Sequence, residues 1–142
     1  MADVHSKEVR SYNMSQVKGK DTKPELLVRR FLFSNGLRYR LYDKKLSGKP
    51  DIVLPKYKTV IFIHGCFWHG HENCKYSALP KTRTQFWSDK IEGNKQRDKN
   101  NIEQLINKGW NVLIVYGCEL KKDKQELTLN KILNNIQNQF HN

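Results

Sequence analysis

Eleven residues, HGCFWHGHENC at positions 64–74, constrain this chain more than any other stretch. They hold His64, His69 and His71, Cys66 and Cys74, and the aromatic pair Phe67 and Trp68. The only other cysteine, Cys118, lies just past the apolar run NVLIVY. Three cysteines are an odd number, which argues against a disulfide framework and for a reducing compartment. Metal ligation is the better use for them. Cys66, His71 and Cys74 are spaced C-x4-H-x2-C, and with Cys118 they complete a tetrahedral Zn2+ shell with no open position, which is a structural site. His69 is the alternative fourth ligand. The set closes if NVLIVY lies parallel to and beside the run TVIFIH, because the C-terminal ends of the two strands, and so Cys66 and Cys118, then coincide.

The rest of the chain fits around that constraint. Residues 1–20 are polar and basic, an arm or a loosely packed first helix. In DTKPELLVRRFLFSNG, Thr22 caps a helix, Pro24 suits its first turn, and Glu25 stands three residues after the cap as a capping box requires. Leu26, Leu27, Phe31 and Leu32 form its apolar stripe, Gly36 ends it, and RYRLY follows as a strand. DIVL and TVIFIH pair as a hairpin about a turn at Pro55–Lys58, with Val60, Phe62 and His64 on one face and Thr59, Ile61 and Ile63 on the other. A long helix over 83–109, weakened at Gly93, directs Trp87, Ile91, Asn94, Asp98, Ile102 and Leu105 inward. The polar Asn94 and Asp98 in that stripe are costly to bury. WNVLIVYG reads as a central strand covered on both faces, and a last helix carries Leu129, Ile132, Leu133, Ile136 and Phe140. The order is helix, strand, hairpin, metal loop, long helix, strand, helix: an α/β sandwich with a mixed central β-sheet flanked by helices.

Lys and Arg number 26 against 14 acids, a net charge of +12, in a chain of 142 residues. A polyanion gains most from such a field, so nucleic acid is the expected partner. TVIFI is far too short to cross a bilayer, and MADVHSKEVR has no apolar core of a secretory signal, so a cytoplasmic protein without a membrane partner is expected.

Asp51 follows Pro50 at the start of a strand. That placement is the beginning of a restriction-endonuclease-like nuclease core, in which the aspartate holds Mg2+ against the scissile phosphate. The usual second part, E-x-K on the next strand, is absent, and a histidine stands where the lysine would be. On residue type alone Asp51 could cap a turn, Asp98 could pair with a core arginine, His64 could be a hydrogen-bonded core histidine, and His69 a surface one. The capping box accounts for Glu25 without catalysis. Phe67, Trp68 and Trp87 would ordinarily be core residues.

RSYNMSQVKGKDTKPE, GKPDIVL, VIFIHGCFWHGH, LPKTRTQFW and NVLIVYGCEL, taken together, resemble the very short patch repair (Vsr) DNA mismatch endonucleases. The resemblance runs from about Arg10 to Cys118. It implies a restriction-endonuclease-like domain over 21–142 behind a basic arm over 1–20. It also implies a Mg2+-dependent enzyme that nicks duplex DNA 5′ to the thymine of a T:G mismatch left by deaminated 5-methylcytosine. Asp51 matches the metal-holding aspartate and His69 the catalytic histidine that takes a proton from the attacking water. His64 and Asp98 match residues that orient the water or the phosphate, and Glu25 an acid near the metal. The backbone carbonyl of Ile63 matches a further metal contact; the family has threonine there, a change of little consequence if only the backbone ligates. Phe67, Trp68 and Trp87 match side chains that wedge into the base stack from the major groove, and Met14 one that enters the minor groove. Lys18, Lys20, Lys81, Arg83 and Lys95–Arg97 are the expected phosphate contacts. A monomer is expected, cooperating with general mismatch-repair proteins. The competing readings are a zinc-stabilised DNA-binding module without catalysis and a restriction-like nuclease of other specificity.

Overall fold

Thr22 opens the first helix as its residue type predicts. Its side-chain oxygen accepts the Glu25 amide at 3.4 Å, and α1 runs Lys23–Ser34 with Pro24 in its first turn. The computed structural model describes residues 22–140, so Met14, Lys18, Lys20 and the rest of the arm lie outside the described residues. The strands are β1 (Arg40–Leu41), β2 (Ile52–Leu54), β3 (Thr59–His64) and β4 (Asn111–Tyr116). Between β3 and β4 comes α2 (Thr84–Asn107), and α3 (Gln125–Phe140) follows β4.

The four strands form one mixed sheet in the order β1-β2-β3-β4. β2 and β3 are the predicted hairpin, paired Ile52↔Ile61 through Leu54↔Thr59. β3 and β4 are parallel neighbours from Thr59↔Asn111 to His64↔Tyr116, which is the pairing that Cys118 asked for.

The two faces of β3 divide the core. Ile61 joins Val28 and Leu32 of α1 and Leu129, Ile132 and Ile136 of α3 in one cluster. Val60 and Phe62 join Val53 and Leu105, with Ile102, Trp110 and Val112 packed against them, in the other. The sheet therefore lies between α1 and α3 on one side and α2 on the other. His64 shares the Val60–Phe62 face, so β3 aims it at α2, where Ile91 and Leu105 are buried and Asn94, Asp98 and Ile102 half-buried. This is the inward stripe the helical period predicts.

Two expectations need correction. β4 is not central: it pairs with β3 alone among the described strands, only its Val115 is buried, and Ile114 is 37% exposed. An edge strand packed by helices on both faces carries the same apolar residues as a central one, so composition does not separate the two cases. RYRLY supplies only Arg40 and Leu41, because Tyr42 turns to a left-handed φ of 50° and leaves the ladder. The long helix forms as expected, and α2 is helical throughout its 24 residues, Gly93 included. Gly93 is exposed there, and one glycine costs a long helix only about 1 kcal/mol relative to alanine.

Candidate active site and metal centre

Beyond Ile52, β2 no longer runs beside β3, and a side chain takes over the pairing. Asp51 Oδ2 accepts the Ile63 amide at 2.7 Å. That bond fixes Asp51 at the rim of a cavity of about 470 Å³, which Glu25, Ile63, His64, His69 and Asp98 also line. All five side chains expected to be catalytic thus reach one space, from α1, the start of β2, the end of β3, the loop after it and α2.

The electrostatics of this cavity are those of an incomplete charge set. Burial pushes the Asp51 carboxyl up to about 6; the Ile63 amide opposes this, and the neighbouring Glu25 charge adds to it. A buried acid with a second carboxylate beside it is relieved by a cation, so the donor set fits a divalent metal. Glu25 is 2% exposed. Its Oε2 accepts from Arg29 Nη2 at 3.0 Å and from the Tyr42 hydroxyl, and Arg29 also donates to that hydroxyl. The capping box therefore does not account for the carboxylate, which faces Arg29 and Tyr42.

His69 Nδ1 lies 2.6 Å from Asp98 Oδ2. An ionised carboxylate only accepts, so Nδ1 carries the proton and Nε2 is left as the basic nitrogen. The ring of His64 stacks on that of His69, centroids 3.7 Å apart and planes within 4°. Burial, then the proximity of His69, holds His64 down to about 4, so it is neutral at physiological pH. Its Nδ1 is buried with no hydrogen-bond partner among the described residues. His64, His69 and Asp98 each offer a ligand atom within 4.8 Å of the others.

The same loop contributes to a second cluster. Cys66, His71, Cys74 and Cys118 bring four ligand atoms within 4.8 Å of one another, and Cys118 Sγ is 3.4 Å from His71 Nδ1. Three sulfurs and a nitrogen at this kind of separation are one of the ligand sets that suit tetrahedral structural zinc. His71, not His69, stands with the cysteines. The His71 amide donates to the Cys66 carbonyl at 3.0 Å, and the Ser77 hydroxyl to the His71 and Cys74 carbonyls at 2.6 and 2.8 Å. The His71 ring stacks on Tyr116 with centroids 3.8 Å apart. Burial, with the sulfurs of Cys66 and Cys74 beside it, pushes the Cys118 thiol up to about 12. The Cys118 thiol therefore resists ionising without a cation, and a bound metal would reverse that cost.

Phe67, Trp68 and Trp87 form a half-buried aromatic group, with centroids 5.2 to 5.9 Å apart in edge-on contacts. Phe86, 46% exposed, stacks edge-on against Trp87, with the Arg83 guanidinium 4.3 Å above its ring.

Residues 2–75 match the family model for the DNA mismatch endonuclease Vsr. A type II nicking enzyme of Neisseria meningitidis is 52% identical over 121 residues, covering 85% of this chain and 86% of that protein. The DNA mismatch endonuclease Vsr of Escherichia coli K12 is 45% identical over 128 residues, covering 90% of this chain and 81% of that protein. The chain belongs to the DNA mismatch endonuclease Vsr family.

Membership of the Vsr family makes the chain an endonuclease, a DNA-cleaving hydrolase. No helix among the described residues is long and apolar enough to cross a membrane. Several side chains of this Vsr member went unmarked in the sequence. Tyr42 closes the Glu25–Arg29 triangle, a contact made by a left-handed turn that no local pattern announces. Asn94, marked only as a costly inward residue, donates its amide to the Trp68 carbonyl at 2.9 Å and accepts from Arg97. Phe86 was overshadowed by its neighbour Trp87, although QFW pairs the two. Among the expected phosphate contacts, Lys81, Arg83 and Arg97 are exposed, and Lys95 is shared between Glu72 and Glu92.

Proposed function

We propose that this chain is a Mg2+-dependent mismatch endonuclease that nicks duplex DNA 5′ to the thymine of a T:G pair produced by deamination of 5-methylcytosine. The observation that carries the reading is the cavity in which a buried Asp51 meets a His69–Asp98 pair. A binding module has no use for an imidazole fixed by a carboxylate beside a metal-competent acid. The mixed sheet, with Asp51 at the start of one strand of a hairpin, supports a restriction-endonuclease-like core over 21–142 behind the basic arm.

Each residue has a separable task. Asp51, with the Ile63 carbonyl, holds Mg2+, which when bound neutralises charge on the phosphate and the leaving oxygen. His69 takes the proton of the attacking water on Nε2 as the new O–P bond forms and the bond from phosphorus to the leaving strand oxygen breaks, and Asp98 stabilises the resulting imidazolium while fixing its tautomer. His64, neutral and stacked on His69, orients the reacting groups without adding a competing positive charge. Glu25, held by Arg29 and Tyr42, sets the negative charge that draws the metal. Cys66, His71, Cys74 and Cys118 hold structural Zn2+, which fixes the loop between them. Phe67, Trp68 and Trp87 wedge into the stack beside the mismatch, with Met14 of the arm on the opposite groove. A wobble pair opens more cheaply than a matched one, and unstacking a step costs a few kcal/mol, so the wedge favours the mismatch. The enzyme works as a monomer in the cytoplasm on chromosomal DNA, alongside general mismatch-repair proteins.

The test is nicking of a T:G duplex in Mg2+ by the purified chain. Cleavage on the thymine strand, lost in Asp51→Ala while DNA binding persists, is the expected result. Tight binding by the unsubstituted chain with no nicking would favour the zinc-stabilised module instead.

A further inference from the structure

Two consecutive left-handed residues, Gly48 (φ 76°) and Lys49 (φ 47°), precede Pro50 and Asp51. The chain is pinned on both sides of them. The Lys49 amide donates to the Leu46 carbonyl at 3.1 Å, and Pro50 is fully buried. At Gly48 the residue type follows from the geometry, since a Cβ there would come within 3.0 Å of Asn101 Cβ. At position 49 it does not. A residue with a Cβ is disfavoured in the left-handed region, and a following proline disfavours anything but extended backbone. Glycine or asparagine would be cheaper, so lysine there carries a backbone cost that a task for its side chain would offset.

The cavity explains what that is. Its walls carry three carboxylates, from Glu25, Asp51 and Asp98, and Lys49 is the single Lys or Arg among its described lining residues. The described residues offer Lys49 no ion pair, and the residue is exposed at the cavity's edge. A phosphodiester entering such a space is repelled by the acids, and an ammonium at the mouth offsets that repulsion where charge builds up. We propose that Lys49, two residues before Asp51 on the wall of the same cavity, is a phosphate-binding residue of this active site, its ammonium gripping the DNA phosphate being cut. The inference rests on the nuclease reading above.

Three variants test it: Lys49→Gln removes the charge, Lys49→Arg keeps it, and Lys49→Gly removes both charge and strain. Lys49→Gln should lower single-turnover nicking of saturating T:G duplex by roughly 100-fold, the scale seen when one preorganised donor to a developing charge is lost. Lys49→Arg should recover to within roughly 10-fold of the unsubstituted enzyme. Lys49→Gly should melt no lower than the unsubstituted protein and nick as poorly as Lys49→Gln. In Mg2+-free buffer, the slope of log Kd against log salt for the T:G duplex should fall by about one on Lys49→Gln and stay unchanged on Lys49→Arg. An unchanged slope in Lys49→Gln overturns the proposal, as does nicking by Lys49→Gln at the unsubstituted rate or by Lys49→Arg no faster than Lys49→Gln. If the unsubstituted chain binds but never nicks, the nuclease reading fails, and the salt slope alone still decides whether Lys49 holds a phosphate.

Discussion

Replacing Asp51 by asparagine should make the protein more stable while it destroys the active site. Burial raises this carboxyl from the ordinary 3.8 to about 6. Above pH 6 the folded chain must carry a charge that the unfolded chain solvates freely. As the pH falls from 6 towards 3.8 the folded state takes up the proton first, and the penalty fades. At about 1.4 kcal/mol per pH unit, the gap corresponds to roughly 3 kcal/mol at pH 7.5 and roughly 1 kcal/mol at pH 4.5. Asparagine keeps an oxygen to accept the Ile63 amide and never carries the charge. His64 works with the opposite sign: its value of about 4 means that stability is lost as the pH falls from 6.5 towards 4. That loss is common to both proteins and cancels in the comparison. The assay is urea denaturation of each protein in Mg2+-free buffer at the two pH values. Asp51→Asn should be the more stable by about 3 kcal/mol at pH 7.5, shrinking to about 1 kcal/mol at pH 4.5. No gain at pH 7.5, or a gap independent of pH, would refute the claim that Asp51 is held ionised against burial for the sake of a cation.

Three further outcomes follow from the geometry. Asp98→Asn leaves His69 without its carboxylate partner and should cut the nicking rate by about 10²–10⁴ with DNA affinity little changed, measured by single-turnover kinetics and equilibrium binding. Gly70→Ala places a Cβ 2.7 Å from Ile91 Cγ2 at a φ of 57°, so it should cost about 1–3 kcal/mol in denaturant titration and shift the fluorescence of Trp68. Elemental analysis should find one zinc per chain, and Cys118→Ser should lower both the zinc content and the melting temperature; full zinc retention would remove Cys118 from the ligand set.

The topology was legible where chemistry demanded it. A cysteine just past NVLIVY needed a neighbour, and the parallel β3–β4 pairing supplies it. The helical period put Asn94 and Asp98 inward, and both hold the loop, one through the Trp68 carbonyl and the other through His69. What stayed hidden depends on backbone turns and strand neighbours. The choice between His69 and His71 rests on two adjacent turn bonds, from the His69 amide to Gly65 and the His71 amide to Cys66, which send the two rings to opposite clusters. The edge position of β4 is invisible because helices cover an edge strand as they cover a central one. The left-handed Tyr42 and Lys49 carry side chains into the site from positions where no periodic pattern runs.

On the proposed reading, one loop places a mismatch wedge and a catalytic histidine at a fixed separation, so cutting depends on the mismatch. Single-turnover nicking of two duplexes identical except for one base, T:G against T:A, tests it most directly. Rapid nicking on the thymine strand of the T:G duplex, with little or none on the T:A duplex, is the expected result. Equal rates on the two would contradict it.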